Sequence, residues 1–151
     1  MIVYRITGKK FAEDISGTGA AIYGGRWNKK GTPVLYTGES KEIALLETIV
    51  HIPPMLAPAL DLLTIEIPDD SITTIELKDL PKNWKAYPAP SILAEMAEEW
   101  VKQGKTIALK VPSCVIHSAF NYILNCRHPD YHSSVKIIDL ADFHFDSRLN
   151  S

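Results

Sequence analysis

Gly24-Gly25-Arg26-Trp27-Asn28, then Val34-Leu35-Tyr36-Thr37, then Ser40-Lys41-Glu42-Ile43-Ala44-Leu45-Leu46-Glu47, read in order as a glycine loop, a short strand and a helix. Paired glycines let the backbone turn tightly and approach a ligand closely. Val34 to Thr37 is apolar and β-prone after the Lys-Gly-Thr turn, and Pro33 opens it. Ser40 is a good N-cap, and the helix it starts is expected to run over 41–51 and to stop at Pro53-Pro54. Leu45, Leu46, Ile49 and Val50 form its apolar face, and Ala44, Glu47 and His51 line the face beside it.

The flanking chain extends this unit into a mixed order of elements. Strands are expected over 2–6, 60–67, 72–77, 106–111 and 135–140, and a short helical turn over 9–16. A second helix is expected over 91–103, with Ile92, Leu93, Met96, Trp100 and Val101 inward and Gly104 as its stop. The stretch 81–90 reads as irregular, and 121–125 as an apolar turn or short helix ahead of a His128-Pro129-Asp130 loop. Helices and strands do not alternate regularly, which favours an α+β fold with a mixed or antiparallel sheet over a doubly wound one. No repeat, low-complexity tract or linker interrupts 1–151, so a single domain is expected.

Composition narrows the function classes. An apolar fraction of 46% and a charged fraction of 23% are those of an ordinary globular domain. The net charge of −2 gives no electrostatic footprint for direct nucleic-acid binding. No apolar run approaches membrane-spanning length and the first residues read as a strand, so a cytoplasmic protein is expected. Cys114 and Cys126 lack metal-ligand spacing, and His117, His128, His132 and His144 make no zinc pattern, so no metal is expected. Neither a dinucleotide-binding glycine fingerprint nor a Walker loop is present, and Ser113 lacks a nucleophile-elbow context.

Several residue types nevertheless suit an anionic, aromatic ligand and a cation formed from it. Arg26 offers a planar fork for phosphate or carboxylate; its structural alternative is a surface arginine stacked on Trp27 or paired with an acid. Arg5, near the end of an apolar strand, reads the same two ways, as an anion site or a partner of a structural carboxylate. Tyr36 either stacks on a ligand ring or packs in the core. Glu47 stands among apolar residues, where a carboxylate needs a partner or a purpose. Ser113 reads as a turn former or cap, and Asn121 and Asn125 as residues that pin loops.

Taken together, Gly25-Arg26-Trp27-Asn28, Gly31, Val34-Leu35-Tyr36, Ala44-Leu45-Leu46-Glu47, His51, Val111-Pro112-Ser113, Asn121-Tyr122-Ile123-Leu124-Asn125 and His128-Pro129 resemble the RES domain. That family takes its name from an arginine, a glutamate and a serine, matched by Arg26, Glu47 and Ser113. The resemblance implies a fold like that of ADP-ribosyltransferases. It also implies a toxin of a bacterial toxin–antitoxin pair, held by an Xre-type helix-turn-helix antitoxin. The implied activity is destruction of NAD by hydrolysis or phosphorolysis, or ADP-ribosylation of a protein. NAD is then a substrate, with inorganic phosphate as a conceivable co-substrate, and no bound cofactor is expected. By the same resemblance Glu47 is the catalytic acid. Arg5 and Arg26 hold phosphates or ribose, Tyr36 stacks on nicotinamide, and Ser113 and Asn121 line or support the pocket.

Overall fold

A computed structural model describes residues 1–53, 58–144 and 146–150. One seven-stranded sheet organises them: β1 (Ile2–Gly8), β2 (Val34–Gly38), β3 (Leu60–Glu66), β4 (Ile72–Thr74), β5 (Ala108–Pro112), β6 (Phe120–Asn125) and β7 (Lys136–Phe143). Their order across the sheet is β4-β5-β6-β2-β1-β3-β7. The β4–β5 pair is parallel and the other pairs are antiparallel. The helices are α1 (Thr18–Tyr23), α2 (Lys41–Ile49), α3 (Ser91–Gln103) and α4 (Tyr131–Ser134). This is an α+β fold with a mixed, mainly antiparallel sheet, as the irregular order of elements predicts.

Strand alternation divides the core into layers. Val3, Leu35, Leu63, Ile65, Tyr122 and Leu124 face one side, where Ala12, Ile15 and Tyr131 cover them. Val34, Tyr36, Leu109, Val111 and Ile123 face the other, under Leu93, Ala97, Trp100 and Val101 of α3. On that same side Tyr4 and Ile6 meet Ala44 and Leu45 of α2. The helices α2 and α3 therefore lie over one sheet face.

The residues that fix α2 also position its glutamate. The Ser40 hydroxyl accepts from the Ile43 N–H at 3.1 Å, satisfying a free donor of the first turn. Thr48 donates to the carbonyls of Ala44 at 2.7 Å and Ile6 at 3.2 Å, tying the helix to β1. At Gly38 a Cβ would lie 3.0 Å from the Ala44 nitrogen and 3.2 Å from Ile43 Cγ2, so only glycine lets α2 pass this close to the end of β2.

Several expectations are corrected. The stretch 121–125 is a central strand, because a continuous β-prone apolar run suits a strand covered on both faces. The glycine loop contains a short helix, α1. Helix α2 ends at Ile49 rather than His51, its fully buried residues are Ile43 and Ala44, and Val50 is exposed. Pro54 lies outside the described residues. Strand β4 ends at Thr74 rather than at the expected Leu77, which instead opens a 3₁₀ turn over Leu77–Asp79. On α3, Ile92 is 42% exposed although it belongs to the apolar stripe. Among the described residues no helix is long and apolar enough to cross a membrane.

Candidate active site

The central feature is the carboxylate of Glu47 on α2. Its Oε1 accepts from Ser113 Oγ at 2.5 Å and from Asn121 Nδ2 at 2.8 Å. Ser113 directly follows β5, and Asn121 stands near the start of β6, so the β5–β6 hairpin reaches under α2 to hold one oxygen. Bonds to an ionised acceptor are shorter and stronger than neutral ones, so this pair sets the carboxylate's orientation. Oε2 receives neither bond and is left to other partners.

Ser113 is 0% exposed. Its hydroxyl proton goes to Glu47, while its oxygen accepts from the N–H groups of Val115 and Ile116, both at 3.1 Å. A hydroxyl has one donor and two acceptor positions, so all of its capacity is in use. Ser113 is therefore a buttress of Glu47 and of the turn after β5. Asn121 is half-buried, and its Gly38 pairing places it on the α2 side of the sheet.

Arg26 reaches the same region through a loop held by two polar residues. Tyr36 donates to Asn28 Oδ1 at 2.6 Å and accepts from the Trp27 N–H at 3.0 Å. The Asn28 amide nitrogen is placed against the carbonyls of Ala20, Lys29 and Thr32 at 2.7, 3.2 and 3.2 Å. Trp27 is buried against α3, and the Arg26 guanidinium has no carboxylate partner among the described residues, so the alternative of a structural ion pair does not hold. Instead Nη1 donates to the Trp84 carbonyl at 2.7 Å and Nη2 to the Ala86 carbonyl at 3.0 Å. Backbone carbonyls orient the fork without neutralising its charge.

Cys114 links the two charges. Burial pushes its thiol up; the Arg26 guanidinium pulls it down and the Glu47 carboxylate raises it further. Both charged groups thus share the neighbourhood of one half-buried sulfur. Burial also pushes the Tyr36 hydroxyl well above the ordinary tyrosine range, with Arg26 acting in the opposite sense, so that phenol stays protonated as a strut.

Five of the six residues singled out by sequence, Arg26, Tyr36, Glu47, Ser113 and Asn121, are brought to one side of the sheet. Arg5 is not. It pairs with Leu63 in register and alternates with Tyr4 and Ile6, so it projects from the opposite face. There its Nη1 donates to the Asp14 carbonyl at 3.2 Å, in a setting where burial lowers its pKa and Tyr131, Asp14 and Cys126 oppose that. Asn28, Cys114 and the carbonyls of Trp84 and Ala86 were not singled out as site groups. Asn28 was readable from its place two residues after Arg26 in the glycine loop, whereas backbone carbonyls leave no mark in a sequence.

Fold and site together define a class: an α+β domain whose sheet, overlaid on one face by two helices, carries on that side a carboxylate pinned by a serine and an asparagine and an arginine held by backbone carbonyls. Residues 2–146 match the RES domain family, and the chain belongs to it. Toxin Res of Photorhabdus laumondii subsp. laumondii is 40% identical over 152 residues, covering 99% of this chain and 97% of that protein. The Prs ADP-ribosylating toxin of Sphingobium sp. (strain YBL2) is 34% identical over 142 residues, covering 91% and 88%. Among solved structures, a chain in the crystal structure of the M. tuberculosis MbcT–MbcA toxin–antitoxin complex shares the fold. Its TM-score is 0.69 at 16% identity, over 95% of this chain and 84% of that one.

Proposed function

We propose that this protein is a toxin that cleaves the bond between nicotinamide and ribose in NAD and is neutralised by an Xre-type antitoxin in the cytoplasm. The observation that carries the reading is Glu47, with Oε1 fixed by Ser113 and Asn121 and Oε2 outside both bonds. The C1′–N bond breaks with its electron pair leaving on nicotinamide, which departs neutral and needs no general acid. Positive charge develops on the ribose C1′ and ring oxygen. A preoriented carboxylate stabilises that charge, and Oε2 can also accept from a ribose hydroxyl, as in glycosidase sites. Arg26 holds the pyrophosphate, so the scissile bond is presented in a fixed geometry. The ring of Tyr36 is assigned to nicotinamide, its hydroxyl being committed to Asn28 and the Trp27 N–H.

The acceptor distinguishes two outcomes at the same site. Water yields ADP-ribose and a released proton; inorganic phosphate yields ADP-ribose 1″-phosphate. Purified protein is incubated with NAD, with and without phosphate, and products are separated by chromatography. Nicotinamide release is expected from the native protein, and Glu47→Gln, which keeps shape and removes charge, is expected to lower its rate by at least about 100-fold, the scale of losing a main electrostatic stabiliser. A Glu47→Gln variant that depletes NAD at the native rate would refute the assignment. The likeness to the Sphingobium ADP-ribosylating toxin supports a second reading in which a protein side chain is the acceptor. Transfer of adenine-labelled ADP-ribose to a protein band separates it from the first.

A further inference from the structure

An open groove lies away from Glu47, between α3 and the edge strand β4. Its volume is about 460 Å³. Ile92 and Met96 of α3 form one wall, Ile75 beyond β4 the other, and Leu109 of β5 the floor. Glu95 and Glu99 stand on the same helix stripe. Neither has an ion-pair partner among the described residues, and no lysine or arginine lines the groove. The exposure of Ile92, which its apolar stripe predicts to be inward, is accounted for by this groove.

The strand beside it is open on one side. Ser71 accepts from the Ala108 N–H at 3.0 Å and the Ile75 N–H donates to Lys110 at 2.9 Å, so residues 71, 73 and 75 bond toward β5. By strand alternation the peptide groups of Ile72 and Thr74 point outward, where the sheet has no further strand among the described residues. A free edge next to an apolar groove under a helix is the arrangement that accepts an added strand. Main-chain bonds then give affinity, and alternate side chains enter the groove.

We propose that the β4–α3 groove binds an extended peptide segment of a partner protein. The segment carries alternating aliphatic side chains flanked by lysine or arginine. The aliphatic side chains fill the groove between Ile75 and Met96, and the basic residues meet Glu95 and Glu99. The site shares no residue with the Glu47 cluster and does not depend on the reading of that cluster.

The test is a displayed library of random dodecapeptides, panned against the native protein and against two variants. Thr74→Pro removes an outward N–H and leaves the β4–β5 ladder intact, as edge strands allow. Ile92→Asp places a charge in the groove mouth from an exposed helix position. Circular dichroism first establishes that each variant is folded. Peptides enriched by the native protein and lost with either folded variant are expected to show alternating aliphatic residues beside lysine or arginine. Their affinity should fall about tenfold or more when Glu95 and Glu99 are both changed to lysine. The proposal is overturned if no peptide depends on the groove, or if groove-dependent peptides lack basic residues. It is also overturned if the native protein is a dimer that Ile92→Asp dissociates, which would make the groove a self-interface.

Discussion

Replacing Ser113 with alanine tests the assignment of that residue as a support of Glu47. The change removes one bond donated to a carboxylate and two accepted from backbone N–H groups. The charge-assisted bond contributes about 1.5–3 kcal/mol, and each neutral bond about 0.5–1.5 kcal/mol. Ile116 is exposed and Val115 half-buried, so water can replace part of what their N–H groups lose. A net stability loss of about 3 kcal/mol follows, which lowers Tm by roughly 6–12 °C in a domain of this size. If the hydroxyl also aims Glu47, losing the charge-assisted bond slows nicotinamide release by roughly 10- to 150-fold. Asn121→Ala should slow it by a similar factor, because it holds the same oxygen from the other side. The double variant should fall short of the product of the two, since both bonds fix one orientation. The assays are urea or thermal melts and steady-state kcat on folded protein. Two results would refute the reasoning. One is a Ser113→Ala variant with native stability and native rate. The other is a variant of native stability as inactive as Glu47→Gln, which would make Ser113 a reacting group.

The loop that carries Arg26 can be displaced from beneath. A Cβ at Gly25 would fall 2.6 Å from Tyr36 Oη and 2.9 Å from Asn28 Oδ1, so Gly25→Ala must break the Tyr36–Asn28 bond. It should destabilise the fold by about 1–3 kcal/mol and raise KM for NAD, readable from a melt and a kinetic curve. Arg26→Lys keeps the charge but cannot span the carbonyls of Trp84 and Ala86, so KM is expected to rise about tenfold, measured by initial rates. Alkaline pH should loosen the protein through its buried phenols. Burial raises Tyr36 and Tyr131 above the ordinary 10.0, so their contribution is complete below pH 10.0 and is lost as pH rises beyond it. Each should cost about 1.4 kcal/mol per pH unit there, as urea midpoints on either side of that value would show, and Tyr36→Phe should flatten the decline.

The local elements were legible because their signals are local. Ser40 before an apolar period of 3.6 marks α2, and the β-prone run after Lys30-Gly31-Thr32 marks β2. The stretch 121–125 was misread because a strand covered on both faces lacks the alternation that distinguishes it from a short helix. The order of strands was not readable at all. Nothing near Asn121 in the chain reveals that Gly38 will lie opposite it, yet that pairing puts its amide beneath Glu47.

Arg5 shows why order along a chain is insufficient. Its type and place at a strand end fitted either an anion site or a structural partner, and only the family resemblance assigned it to the ligand; strand alternation puts it on the other face of the sheet from Glu47. One residue of offset separates a side chain under α2 from one beside Asp14. Glu47, Ser113 and Asn121 come together for the opposite reason. The β5–β6 hairpin delivers Ser113 and Asn121 from its two arms, and β2 brings α2 over them through the one close approach that Gly38 permits. The site is therefore a property of sheet register. A substitution that shifted β6 against β2 by one residue would turn Asn121 and Ile123 together to the opposite face and bring Tyr122 to the α2 side, without altering any residue of the site.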